Sequence, residues 1–254
     1  MRIYLAGISS ADELEILKLA GTSCFPADIF DYARIAQLPG PKILDSGAWA
    51  NFRQGKELPS IPDYISFAQE SGCEWFLQQD VFGDPRATWE NWLRMQHAPK
   101  CIPVYQWSGD RALLQAMIET AGERPIAIGG LVPQMRAHDE AMLAEVLALC
   151  AQYPNRFHIL GIAWVKAMEV LRWVARSGDT AKFMVGGRRA AVVFVNTDTG
   201  RLMEAPYQVL PFAKEWDRRQ RCVQSARTLE QYFNRGVTSG EKTATSSSDV
   251  PRGR

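Results

Sequence analysis

From Pro62 to Ile162 the chain alternates short apolar runs with amphipathic segments of helical period. No other feature limits the possible folds so strongly. A helix between two strands is long enough to carry the chain back, so consecutive strands run parallel. The candidate strands are Arg2–Ala6, Lys42–Leu44, Trp75–Gln79, Cys101–Tyr105, Ile126–Ile128 and Phe157–Leu160. Nearly all are continuously apolar, as strands buried on both faces must be. Helices are expected over Ala11–Ala20, Pro62–Glu70, Thr88–Gln96, Ala112–Glu119, His138–Ala151 and Lys166–Ala175. Ser10 and Asp110 stand where N-caps belong, and Pro62 sits in a first turn. A seventh strand near Ser177–Asp179 and an eighth at Ala190–Val195 complete a (β/α)8 TIM barrel. An open doubly wound sheet is the alternative that periodicity leaves standing.

The end of the chain breaks the rhythm. Ala190–Val195, the turn Asn196–Gly200 and Arg201–Glu204 also read as a hairpin. Pro211–Asn234 reads as a long final helix carrying Lys214, Arg218, Arg219, Arg221 and Arg227. Residues 1–237 are expected to form one domain including this basic helix, about 211–235. Residues 238–254, rich in Ser, Thr, Gly and Pro, are expected to be a disordered tail.

Charge is unevenly spread. From Thr180 to Arg254 there are thirteen Lys and Arg against seven Asp and Glu, whereas residues 1–179 carry a deficit of five. An acidic body with a basic end fits an enzyme that binds a polyanion; a solvated helix face with a charged tail is the plainer reading. No apolar run approaches the ~20 residues of a bilayer span, so no membrane partner is expected. The opening MRIYLAGISSADELE turns acidic at once and shows no signal-peptide pattern. Five widely spaced cysteines, at 24, 73, 101, 150 and 222, suggest reduced thiols in a cytoplasmic protein.

In a barrel of this kind, functional groups gather where strands end. The second strand runs into Asp45-Ser46-Gly47-Ala48-Trp49, the third into Gln78-Gln79-Asp80 and the fourth into Tyr105-Gln106-Trp107. The fifth ends in Gly129-Gly130-Leu131, the sixth in Leu160-Gly161, and Asp179 follows the sixth helix. Carboxylates and an amide suit the edge of a planar heterocycle, glycines allow close backbone approach, and Trp offers a face. Each residue also has a plain structural reading. Asp80 could cap the next helix, the glycines could serve a tight turn, and Trp49 could be ordinary packing. Other chemistries lack their motifs. There is no Walker sequence and no G-x-S-x-G elbow, the glycine pair is not GxGxxG, and no Cys pair has C-x2-C spacing. His97, His138 and His158 have no ligand partner at useful spacing, so no metal or other cofactor is expected.

In order along the chain, Asp45-Ser46-Gly47-Ala48-Trp49, Gln79-Asp80, Pro103-Val104-Tyr105-Gln106, Ile128-Gly129-Gly130-Leu131, His158-Ile159-Leu160-Gly161 and Gly178-Asp179-Thr180 with Gly187-Arg188-Arg189 form a series. This series resembles the tRNA-guanine transglycosylase superfamily and spans over half the chain. It departs from the tRNA enzymes in three ways: it is shorter, it lacks their C-x-C-x2-C…His zinc motif, and Ala48 stands at their second glycine. In these respects, and in Tyr4-Leu5-Ala6-Gly7, it is more similar to compact phage and bacterial relatives that insert 7-deazaguanine bases into DNA.

The resemblance implies a pentosyltransferase that exchanges guanine for a 7-deazaguanine through a covalent aspartyl-glycosyl intermediate. It implies Asp179 as nucleophile and Asp45 as proton shuttle. Asp80, Gln106, Gly129 and Gly130 would read the purine edge, Trp49 and Leu160 would lie against its faces, and Ser46, Gly47 and Gly161 would complete the pocket. Arg188, Arg189, Arg218, Arg219 and Arg221 would hold phosphates. The implied partners are DNA, alternatively tRNA, and a free base such as 7-cyano-7-deazaguanine. A relative that binds nucleic acid without catalysis is the other reading.

Overall fold

The computed structural model describes residues 1–8, 10–22, 25–30, 32–36, 38, 40–184 and 190–235. It is a mixed α/β structure in which parallel strands alternate with helices. The parallel strands are β1 (Arg2–Leu5), β2 (Phe25–Asp28), β3 (Lys42–Asp45), β4 (Trp75–Leu77), β5 (Cys101–Ile102), β6 (Val104–Gln106), β7 (Ile126–Gly129), β8 (Phe157–Ile159) and β9 (Ser177–Thr180). They form a five-stranded sheet, β1-β9-β8-β7-β6, and a four-stranded sheet, β2-β3-β4-β5. Between them run α1 (Ala11–Ala20), α2 (Tyr32–Ile35), α3 (Ala48–Gln54), α4 (Ile61–Glu70), α5 (Pro85–Met95), α6 (Arg111–Ala121), α7 (Val132–Ala137), α8 (Glu140–Gln152) and α9 (Val165–Leu171).

The two sheets meet at two places. Residues 101–106 form one extended run interrupted by Pro103, which has no N–H to give a ladder. Before the proline the run pairs with β4, and after it with β7. At the other seam β2 lies beside β1, and no ladder joins them among the described residues. There the side-chain amide of Asn234 accepts from the Ile3 N–H and donates to the Ile3 carbonyl, both at 2.9 Å.

Alternation along the strands divides the core. Ile3, Leu5, Ile126, Ile128, Phe157 and Ile159 face the helices and pack with Ile16, Trp92, Met135 and Leu171. The residues between them form a second cluster of Tyr4, Ile43, Leu77, Ile102, Val104 and Ala127, drawn from strands of both sheets, with Trp75 and Leu160 against it. Both strand faces are therefore buried, which explains their continuous apolar character. Helix entries follow the expected chemistry: Ser10 and Glu13 make a capping box, and Asp84, Asp110 and Asp139 accept from backbone N–H groups at α5, α6 and α8.

Three expectations need correction. The run at Ala190–Val195 does not join the parallel strands; β10 (Ala191–Val195) pairs antiparallel with β11 (Leu202–Pro206). The link between them is too short for a parallel crossover, and Asn196 Oδ1 closes it as a turn by accepting from Asp198 and Thr199 N–H groups. The strand at Phe25–Asp28 was not anticipated. The final helix is also shorter than expected: Pro211–Ala213 is a separate 3-10 turn, and α10 (Arg218–Phe233) begins at a capping box of Asp217 and Gln220. Cys73, Cys101, Cys150 and Cys222 are buried free thiols, and no helix among the described residues is long and apolar enough to cross a membrane. Cys24 and the tail at 238–254 lie outside the described residues.

Candidate active site at the carboxyl ends of the strands

The inner face of each strand sends its last residues to one rim. Ile43 and Leu77 belong to the inner cluster, and Asp45 lies two residues beyond Ile43 on the same face. Val104 leads in the same way to Gln106, and Ala127 to Gly129. On β9, Asp179 pairs in register with Tyr4, itself an inner residue.

Asp80 is the centre of a hydrogen-bond network. Ser46 Oγ donates to its Oδ1 at 3.2 Å and Gln106 Nε2 to its Oδ2 at 2.7 Å, so three separate strand ends converge on one carboxyl group. Burial pushes the Asp80 pKa up to about 6, against the pull of these donors. The capping alternative for Asp80 is filled by another residue, since Asp84 caps α5. Gln78 and Gln79 donate to the main-chain carbonyls of Thr88 and Pro59, which fixes the loop that presents Asp80.

Asp45 Oδ1 accepts from the Gly47 N–H at 2.8 Å, and Ser46 Oγ accepts from the Ala48 N–H. Gly47 has φ +79°, and a Cβ there would come within 2.7 Å of the Phe30 ring, so this turn needs glycine. Gly129 pairs with Gln106, and a Cβ on Gly130 would stand 3.1 Å from Gln106 Oε1. A side chain at either glycine would therefore crowd the buried amide of Gln106. Leu160 packs on the inner cluster beside Gly129.

Asp179 is held from two sides. The Gly161 N–H donates to Oδ1 at 3.0 Å, and His158 Nε2 stands 3.6 Å from the same oxygen. His158 is 2% exposed and its Nδ1 lies 2.8 Å from Ser177 Oγ. Sequence spacing missed this histidine, because its partners come from the neighbouring strand. The detectable signal was one polar residue inside the apolar run Phe157–Leu160, on the face that alternation turns inward.

Trp49 is 45% exposed, at the start of α3. It packs edge-on against Phe82 at 4.9 Å and beside Phe52 at 5.9 Å, with the Arg53 guanidinium 5.7 Å from its ring. These aromatics flank the loops that carry Asp45 and Asp80; Phe52 and Phe82 were not expected there.

The basic residues are unequal. Asn234, just past α10, reaches Ile3 near the start of β1, so the helix runs back along the strands and its first turn lies toward the rim. Arg218 is exposed there, and Arg219 forms a loose 3.9 Å pair with Glu15. Arg221 is engaged in the fold, stacked 4.3 Å over Tyr207 and donating to the Trp216 carbonyl. Arg188 and Arg189 lie outside the described residues. Among the described residues, no group of three or more Cys, His, Asp or Glu is arranged to hold a metal ion. No protein-family model and no curated protein matches the chain.

Proposed function

We propose that this chain is a base-exchanging transglycosylase that replaces guanine in DNA with a 7-deazaguanine such as 7-cyano-7-deazaguanine. The observation that carries the reading is the Ser46–Asp80–Gln106 network, with Asp45 and Asp179 at the same ends of the parallel strands. Guanine and its 7-deaza analogues offer N–H donors at N1 and N2, which need a carboxylate, and an acceptor at O6, which needs an amide donor. Asp80 and Gln106 supply that pair, while Gly129 and Gly130 let the backbone approach. The exposed Trp49 and Phe52, with the partly buried Phe82 packed against them, suit unstacked bases, and Arg218 and Arg219 suit phosphates.

The fold supporting this chemistry is a (β/α)8 barrel. In its favour, β2 lies beside β1, residues 101–106 bridge the sheets, and the inner cluster draws on both. Counting 101–106 as one strand, there are eight parallel strands among the described residues.

The target base leaves its stack to enter the rim. An Asp179 carboxylate oxygen forms a bond to the anomeric carbon as the bond to guanine N9 breaks. The electron pair departs with the base, and Asp45 supplies the proton that neutralises it. The incoming base then gives its proton to Asp45, attacks the same carbon and releases Asp179.

The test uses DNA and tRNA containing labelled guanine, with 7-cyano-7-deazaguanine added. Guanine release from DNA and a covalent protein–DNA adduct are expected. Asp179→Asn abolishes the adduct and retains binding, whereas Asp45→Asn slows exchange by about 10²–10⁴-fold. An adduct that survives Asp179→Asn and disappears in Asp45→Asn reverses the two roles. Release from tRNA alone moves the substrate to RNA, and release from neither overturns the proposal.

A further inference from the structure

We infer that His158 is a positioning residue that aims Asp179, and that Ser177 fixes the imidazole tautomer that does so. This rests on the assignment of Asp179 as nucleophile, and deepens it.

The three side chains lie in a line along the inner faces of β8 and β9. Ser177 Oγ is 2.8 Å from His158 Nδ1, and His158 Nε2 is 3.6 Å from Asp179 Oδ1. The remaining surroundings of the ring are an edge-on Tyr4 at 5.8 Å from β1 and Ala127, its register partner on β7. A cavity of about 220 Å³ opens beneath, lined by His158 and Ser177 with Arg2, Glu74 and Arg176. Arg2 there is bound to Glu74 at 2.8 Å, and among the described residues Asp179 is the carboxylate that comes within 4 Å of the ring nitrogens.

Ser177 can either donate to Nδ1 or accept from it. If it accepts, a neutral ring turns its Nε2 lone pair toward a carboxylate oxygen, and two acceptors confront each other at a ring that is 2% exposed. If Ser177 donates, Nε2 carries the proton and faces Asp179 favourably. The second arrangement satisfies every group. The hydrogen on a ring nitrogen is thus set by the bond made at the other nitrogen.

The consequence concerns which oxygen reacts. Gly161 N–H and His158 both address Oδ1, and no described residue donates to Oδ2. Oδ1 is the held oxygen, and Oδ2 is left as the attacking one. His158 therefore orients the carboxylate from behind without touching the substrate.

Nitrogen-15 spectra of the imidazole in the free protein should show the Nε2–H form, and Ser177→Ala should bring in the Nδ1–H form. In adduct formation with DNA, His158→Phe should lower kcat by roughly 10–100-fold, the usual worth of a bond that orients a functional group, with KM little changed. His158→Gln, which keeps a donor toward Asp179, should recover most of the loss. An Nδ1–H ring in the native protein, or equal losses for Phe and Gln, would overturn the inference. A native protein that forms no adduct would overturn the transglycosylase reading instead, and the tautomer measurement would still decide the role of Ser177.

Discussion

At the amino ends of the strands, Arg2 and Glu74 pair at 2.8 Å with side chains 45% and 35% exposed. Nearby, Arg124 donates to the carbonyls of Ala121 and Cys101 around the end of α6, where a helix end carries partial negative charge. At the carboxyl ends the treatment is reversed. Asp80 and Asp179 are restrained by a hydroxyl, an amide, a backbone N–H and an imidazole, and neither pairs with a described Lys or Arg. One end of the same strands neutralises its charges against each other in contact with water. The other orients its carboxylates with a hydroxyl, an amide and a backbone N–H, all uncharged donors, which leaves their charge available to a ligand. Such a site costs stability, and that cost is what makes the two ends distinguishable by experiment.

The largest contrast is expected at Asp80. Its folded pKa of about 6 lies above the ordinary value of 3.8, so between those values the folded state binds more protons than the unfolded chain. Stability contributed by this group therefore rises as pH falls from about 6 toward 4, and at pH 7 the ionised group costs up to about 3 kcal/mol. Asp80→Asn should raise unfolding free energy in urea by up to that amount at pH 7. The gain should vanish near pH 4, and discrimination for guanine should be lost. A destabilised variant at pH 7 would mean that the carboxylate is not strained.

The basic helix offers an intermediate effect. Replacing Arg218 and Arg219 with Gln should reduce the log–log salt slope of DNA binding by up to about two units. Arg221→Gln should lower stability and leave the slope unchanged, because its guanidinium is committed to Tyr207 and Trp216. The smallest effect belongs to the floor. Arg2→Met should change stability by less than about 1 kcal/mol, as expected of a solvated pair, and should not alter base exchange. A large loss of exchange there would break the division between the ends.

Much of this arrangement is legible in residue order because apolar runs mark strands and strand ends mark the rim. Asp45, Asp80, Gln106 and Asp179 all follow from that rule. What escaped it has physical reasons. Phe25–Asp28 carries a proline, which argues against a strand in any local reading. The helices α2, α3 and α7, of four, seven and six residues, are too short for periodicity to register. At Ala190–Val195 the hairpin reading holds and the eighth parallel strand does not, because the composition of a buried strand does not fix which way its partner runs. His158 has its partners nineteen and twenty-one positions away, close in space solely because β8 and β9 pair.

Asn234 offers Ile3 both an acceptor and a donor, as a neighbouring strand would. The first strand of the chain is thus completed by one of the last described residues. During synthesis the amino-terminal strand emerges early, and this part of its edge stays bare until the final helix has been made. An unpaired edge of this kind is where chains adhere to one another. A product truncated before residue 234 would retain every carboxylate of the rim, yet carry an open seam that invites a second molecule to close it.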